Sequence, residues 1–446
     1  MANSEFQQQL DVYINAFKVA TLRSEGQFRH TLSYQPDVPA DSFVGLLMPV
    51  RVEPYVYDSD IHPVFRMNLP EGYLLRLMFE MYGPHIGGSA ISLLSLVGRH
   101  GIGRIKLYPN GAKPSPTPQA FELKQFLKGD NSEQAFDAML RENLLASVSG
   151  VVPKYLAGTQ TPAVGLGKAV IVNDSYIIKG SVPQYPGIAI NEHLCMQIAR
   201  GAGFAVAKTH LSEDGMALAV ERFDLNPDGT FKGMEDMCSL LALLPENKYQ
   251  STWEKVAKRI TDVAKGPNLP EILDNLANLV LLNFAVKNAD CHTKNIALIY
   301  SSVNDIHLSP IYDVLTTTAY QPYHLNSPSL SIAGRKSWAI GPEFDLFLRT
   351  TCKLKRPAVQ TKIQRIEMGM AQAVADLQAY MEKFPWFEET GKRMLLAWRE
   401  GLLSLRMKNK YQLTYVVPTL EELGLSQPKS FEDKPKSIGK SELPRF

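Results

Sequence analysis

Residues 288–295 read Asn-Ala-Asp-Cys-His-Thr-Lys-Asn and close a long apolar stretch, so Asp290 and Asn295 stand near one another at its end. A second carboxylate, Asp313, follows in the segment Ser-Pro-Ile-Tyr-Asp-Val. An acid, then an amide, then a second acid beyond a hairpin-like segment is the set that phosphoryl transfer needs. One carboxylate accepts the proton of an incoming hydroxyl, and the amide and the other carboxylate hold magnesium against the phosphates. The D-x-x-x-x-N spacing is that of the protein-kinase catalytic loop. Read locally, the same residues would serve equally well as helix caps and the start of a turn.

Three upstream segments carry related signals. The run Ser-Val-Ser-Gly-Val-Val-Pro-Lys (147–154) sets small residues between apolar ones, which lets backbone N–H groups approach phosphate oxygens. It lacks the G-x-x-x-x-G-K-[ST] pattern, and a plain turn explains it as well. Lys179 ends the apolar strand candidate Tyr-Ile-Ile-Lys-Gly. Such a lysine neutralises nucleotide phosphates and pairs with a helix glutamate, for which Glu192 is placed, or else it is surface punctuation. Ala-Val-Glu-Arg-Phe-Asp (219–224) emerges from a strand and could offer backbone groups of Glu221, Arg222 and Phe223 to an adenine edge. Each signal is weak alone. Their order is that of a kinase: glycine loop, strand lysine, helix glutamate, strand-to-linker, D-x-x-x-x-N, metal acid.

The elements that must position these residues are legible from periodicity. Residues 8–108 hold short strand runs (LDVYINAF, KVATL, HTLSY, RIKLY), interrupted by a helix over 72–82 with Leu74, Leu75, Met78, Phe79 and Met81 buried. The proline-rich stretch 109–119 is a linker, and 135–145 is helical. Strands return in KAVIV, YIIKG and ALAVERF around a helix over 190–200, with Gly201 and Gly203 as its C-cap. After 234 the chain turns helical, over 234–244, 253–265, 270–287, 360–383 and 390–407. The expected units are a β-rich N-terminal subdomain (1–112), a linker and nucleotide-binding region (113–233), a helical lobe with the catalytic loop (234–425) and a polar tail (426–446), solvated by default.

The chain has 446 residues and a net charge of +2, so no basic field favours nucleic acid. Single cores stop growing at roughly 250–300 residues, so two or three units are expected. Four cysteines stand too far apart for a zinc or redox CxxC motif, which fits a reducing cytosol. The N-terminus has no signal-peptide pattern and no stretch is apolar enough to span a membrane, so a cytoplasmic protein is expected.

At these residues the chain resembles the HipA family of bacterial toxin kinases. The resemblance runs through NLPEG (68–72), LLSLVGRHGIGRI (93–105), SVSGVVPK, YIIKGS, NEHLCMQIARGAGF (191–204), LAVERFD, MEDMCSLLAL, KYQ, NADCHTKN and LSPIYDV. It implies an α+β, protein-kinase-like two-lobed fold with an additional β-rich N-terminal subdomain and a mostly helical C-terminal lobe. It places ATP among Ser149, Gly150, Val151, Val152, Pro153, Lys154, Lys179, Glu221, Arg222, Phe223, His292, Lys294, Asn295, Tyr312 and Asp313. It makes Asp290 the base and Asn295 and Asp313 the ligands of Mg2+. The loop serine of the family corresponds to Ser147, whose phosphorylation silences the kinase; a phosphate adds roughly −1.5 to −2 charge beside a site built for ATP. Here Val151 and Val152 stand where the family usually has glutamine before the loop's end, and Ser149 adds a second serine.

The resemblance further implies a protein substrate concerned with translation, an aminoacyl-tRNA synthetase, and a helix-turn-helix antitoxin that carries any contact with operator DNA. Two rival readings use the same residues. One is a small-molecule phosphotransferase; the other is a catalytically silent binding or repressor module. Cys291 beside the base suggests a nucleophile, but no base is assigned to it.

Overall fold

The computed structural model describes residues 9–26, 28–58, 60–86, 89–114, 121–148, 170–172 and 175–431. Strands β1 (Gln9–Ile14), β2 (Phe17–Ser24), β3 (His30–Tyr34), β4 (Tyr55–Tyr57) and β5 (Ile105–Pro109) form an antiparallel sheet in the order β4-β3-β2-β1-β5. Alternation places Leu10, Val12 and Ile14 on one face, where they pack with Leu22, Leu32 and Phe65. Helices α1 (Pro63–Arg66), α2 (Gly72–Ile86) and α3 (Ala90–Val97) lie between β4 and β5, and Ile91 and Leu94 of α3 close this core.

Helices α4 (Leu123–Lys128) and α5 (Glu133–Val148) lead to a second antiparallel sheet of β6 (Val170–Val172), β7 (Tyr176–Gly180), β8 (Thr209–Leu211) and β9 (Ala217–Glu221), ordered β6-β7-β9-β8. One face, with Ile178, Ala217 and Ala219, is covered by Leu77, Met78, Phe136 and Leu140 from α2 and α5. Gly180 is required there, because a Cβ would lie 2.7 Å from the Phe136 ring. The other face, with Leu218 and Val220, packs on α6 (Ile188–Gly201).

The rest of the chain is a small sheet and a helical lobe. Strands β10 (Gly233–Asp236), β11 (Ala297–Ser302) and β12 (Asp305–Leu308) pair in that order. Around them stand α7 (Met237–Leu240), α8 (Trp253–Val263), α9 (Leu269–Ala285), α10 (Pro342–Leu346), α11 (Arg356–Lys383) and α12 (Glu388–Ser404). Their core includes Trp253, Leu276, Ile366 and Trp398. Among the described residues no helix is long and apolar enough to cross a membrane.

Three details differ from the sequence reading or add to it. The expected helix over 234–244 is a strand followed by one helical turn: Met234 and Glu235 pair with Ile299 and Leu298. Asp236 then caps α7 by accepting from the Ser239 N–H at 2.7 Å, and Ala242 turns left-handed with φ 54°. Tertiary pairing overrides local periodicity there. Gly201 lies inside α6, while Gly203, with φ 66°, supplies the left-handed turn. Residues 426–431 are mostly exposed, as expected, but anchored: Ser426 accepts from Lys392, the Lys429 N–H donates to Glu389, and Phe431 packs on His324.

The N-terminal subdomain docks on the small sheet through buried polar groups. The Arg104 guanidinium donates to the carbonyls of Phe43 (2.8 Å) and Ser301 (3.1 Å) and stacks on the Phe43 and Tyr300 rings. Glu235 Oε1 accepts from the Leu46 N–H (2.6 Å) and the Tyr300 hydroxyl (2.9 Å). Burial pushes the Glu235 carboxyl up to about 7, against those hydrogen bonds.

Two outcomes follow. Because the folded value of Glu235 lies above its ordinary 4.5, its protonated form stabilises the fold at low pH. That contribution is lost as pH rises toward 7. E235Q is therefore expected to reduce the fall in unfolding free energy between pH 5 and pH 8, measured by urea denaturation, without abolishing it, since burial also pushes Asp236 up to about 6. G369A is expected to cost about 1–3 kcal/mol in the same assay at constant pH, because a Cβ on Gly369 in α11 would lie 2.2 Å from the Ile198 carbonyl of α6.

Candidate active site

The centre of the site is the ammonium of Lys179, the penultimate residue of β7. It donates to Glu192 Oε1 at 2.5 Å and to Asp313 Oδ1 at 2.7 Å. Glu192 comes from the buried face of α6 and is only 1% exposed. A carboxylate so buried needs a cation or hydrogen bonds to remain charged. The neighbouring Asn191 ties α6 to the segment after Asp313: its Nδ2 donates to the Thr316 carbonyl (3.0 Å), and its Oδ1 accepts the Thr316 N–H (2.8 Å). Asp313 itself has φ 55°, a left-handed conformation that a non-glycine residue holds at a cost on the order of 1–3 kcal/mol and that clusters at functional sites.

Asp290 follows the end of α9. The turn is set by amides: Asn283 Oδ1 accepts from Asn288, and Asn288 Oδ1 accepts the Asp290 N–H. The Asp290 carbonyl accepts the His292 N–H (2.8 Å) and Asn295 Nδ2 (3.0 Å). With its NH2 group engaged by that carbonyl, Asn295 is left its amide oxygen for a cation. The Asp290 carboxylate accepts the Tyr249 hydroxyl at 2.6 Å.

Asp290 and Asp313 share one neighbourhood. Burial first, and then the charges of both carboxylates, push the Cys291 thiol far above its ordinary value. A thiol held protonated in this way is a poor nucleophile. The buried His292 ring is held below its usual value by desolvation and meets Tyr249 edge-on at 5.0 Å. Among the described residues its Nδ1 has no hydrogen-bond partner. A buried ring nitrogen without a partner fits a site that a polar ligand completes.

The remaining sequence candidates divide. Phe223 and Tyr312 bring their rings to 5.4 Å beside Met234, Ala297 and Ile299, forming an apolar wall. The Glu221 N–H is bonded to Lys208 and the Arg222 N–H to Ser175. The Arg222 side chain turns to Asp224 (2.5 Å) and lies over the Phe231 ring, so any ligand contact there falls to its backbone. The Lys294 ammonium is paired with Glu71, and the Lys294 carbonyl accepts the Tyr312 hydroxyl at 2.8 Å. Ser149, Gly150, Val151, Val152, Pro153 and Lys154 lie outside the described residues, and of Ser147 only the backbone, in the last turn of α5, is described.

Sequence reasoning gave no role to Tyr249, Asn191, Lys248 or Glu71. Each meets its partner across a long stretch of chain, 41 residues for Tyr249 and Asp290 and 223 for Glu71 and Lys294, so no local spacing reveals them. The KYQ and NLPEG motifs were the available signals.

Comparison with known proteins establishes the family and the fold. The HipA N-terminal domain matches residues 10–108, and the HipA-like C-terminal domain matches residues 146–377. A Sinorhizobium fredii protein named "Putative kinase Y4dM" is 27% identical over 329 residues, covering 69% of this chain and 72% of that protein. A second from the same organism, "Putative kinase Y4mE", is 28% identical over 291 residues, covering 61% and 68%. The fold is similar to that of HipA of Shewanella oneidensis MR-1, solved with HipB and its operator DNA, at a TM-score of 0.63 and 17% identity over 89% of this chain and 96% of that one. The fold is α+β and HipA-like, with a β-rich N-terminal subdomain and a mostly helical C-terminal lobe. With its N-terminal and C-terminal domains both matched, the chain belongs to the HipA family.

Proposed function

We propose that this protein is an ATP- and magnesium-dependent serine/threonine protein kinase. The observation that carries the reading is the Lys179 ammonium held between Glu192 and Asp313, with Asp290 and Asn295 on the adjoining loop. Lys179 would neutralise nucleotide phosphates while Glu192 fixes its direction. The Phe223–Tyr312 wall would receive the adenine ring, with backbone groups of the 221–223 segment at its edge. Asn295 and Asp313 would hold magnesium, which when bound spreads the charge that develops on the transferred phosphoryl group. Asp290 takes the proton of the incoming hydroxyl as its oxygen bonds to the γ-phosphorus. The bond from that phosphorus to the bridging oxygen breaks, and ADP leaves.

The finer reading follows the family. The loop from Ser149 to Lys154 covers the phosphates, and phosphorylation at Ser147 or Ser149 silences the enzyme. The substrate is a protein of the translation apparatus, an aminoacyl-tRNA synthetase, and a helix-turn-helix antitoxin holds the toxin in check and supplies the contact with operator DNA. The structurally similar HipA was solved with its HipB partner and operator DNA, which supports this arrangement. A cytoplasmic setting suits four cysteines that are all free and buried.

Intact-mass spectrometry of wild type beside D290N tests the reading: wild type incubated with ATP and magnesium gains 80 Da increments (roughly one phosphate each) and D290N gains none. Equal masses for the two would sink it. Calorimetry tests the metal assignment. D313N is expected to bind ATP at least about tenfold more weakly than wild type with magnesium present and equally in EDTA.

A further inference from the structure

Glu71, at the start of α2 in the N-terminal subdomain, reaches two lysines that lie 177 and 223 residues further along the chain. Its Oε2 accepts from Lys248 Nζ at 3.1 Å, and its Oε1 pairs with Lys294 Nζ. Each lysine adjoins a group of the candidate site. Lys248 precedes Tyr249, whose hydroxyl holds Asp290. The Lys248 carbonyl accepts both the N–H (3.2 Å) and the hydroxyl (3.0 Å) of Thr293. Lys294 precedes Asn295, and its carbonyl accepts the hydroxyl of Tyr312, the residue before Asp313.

The charges are matched to this arrangement. Burial pushes the Glu71 carboxyl up, but Lys294 and Lys248 more than offset it and hold the group below its ordinary value. Burial pushes Lys294 down, and Glu71 and Asp236 more than offset that. The Lys294 side chain is 17% exposed, that of Lys248 22% and that of Glu71 38%, so solvent screens these pairs substantially from the Glu71 side. The ion pairs of Glu71 are to these two lysines, and its charge also reaches Tyr249 and His292 beside Asp290.

We infer that Glu71 is a positioning residue: through Lys248 and Lys294, the N-terminal subdomain holds the catalytic loop so that Asp290, Asn295 and Asp313 keep one register. The consequence for phosphoryl transfer rests on the kinase reading above; the mechanical coupling does not. Small misplacements of catalytic groups are expensive in rate, even when they originate far from the chemistry.

The test uses the full chain as wild type, E71Q, K294M and the double variant. Amide hydrogen exchange is followed over 287–297, and single-turnover phosphoryl transfer is measured at saturating ATP. E71Q is expected to speed exchange across that loop. It should also slow transfer by at least about tenfold while leaving ATP affinity within about twofold. Adding K294M to E71Q should cost less than the sum of the two single losses, since the two variants share the Glu71–Lys294 pair. Unchanged loop exchange in E71Q overturns the coupling, even if wild type transfers no phosphate and the kinase reading itself has failed. An E71Q rate equal to or above wild type, or strictly additive losses in the double variant, overturns the positioning role.

Discussion

A single ammonium group, that of Lys179, holds together three parts of the chain that otherwise share no covalent proximity. It sits between a glutamate on a helix and an aspartate 134 residues away on a loop. Two carboxylates converging in a partly desolvated cleft repel one another and each loses hydration; a cation between them removes both penalties at once. The strained backbone of Asp313 persists because that residue is fixed from both sides. Its side chain meets Lys179, and the chain beyond it is pinned by the reciprocal bonds between Asn191 and Thr316. In the kinase reading proposed above, the same charge pattern serves a nucleotide triphosphate and its metal.

Where the N-terminal subdomain meets the rest of the chain, buried polar contacts accompany apolar packing that includes Phe43. The N-terminal sheet has its own hydrophobic cluster, and its junction with the helical lobe is made by Arg104, Glu235 and Tyr300. Such contacts are directional: they fix how two units meet, whereas apolar burial alone tolerates sliding. The loop that carries Asp290 is likewise framed by amide-to-amide bonds from Asn283 to Asn288 to Asp290. This lets a turn without regular structure hold a defined shape.

Much of this was readable in the sequence where the determinants are local. The alternation of Leu10, Val12 and Ile14 marks a strand, and the pattern Ile363, Ile366, Met370, Val374 and Leu377 marks the long helix. The pairing of Lys179 with Glu192 was legible because strand lysine and helix glutamate occur in sequential order. What stayed hidden depends on contacts between distant segments. The 234–244 stretch has helical spacing, yet Met234 and Glu235 are claimed by β11. Tyr249 and Glu71 look like ordinary surface residues until the fold brings them to Asp290 and Lys294. The approach of Lys179 to Asp313 was also not foreseen, since the sequence indicates that each suits a phosphate site but not that they meet directly.

The attachment of α6 has a consequence for how such a cleft can be silenced. Many regulated two-lobed enzymes use a mobile helix at this position, which rotates outward and separates the lysine from its glutamate. Here α6 is bolted to the other lobe. Gly201 lies against Gly369 of α11, the Arg365 guanidinium grips the carbonyls of Ala202 and Gly203, and Asn191 is locked to Thr316. Outward rotation would have to break all of these together. In the kinase reading, control that leaves these contacts intact acts on what occupies the cleft, while the ion pair itself stays assembled.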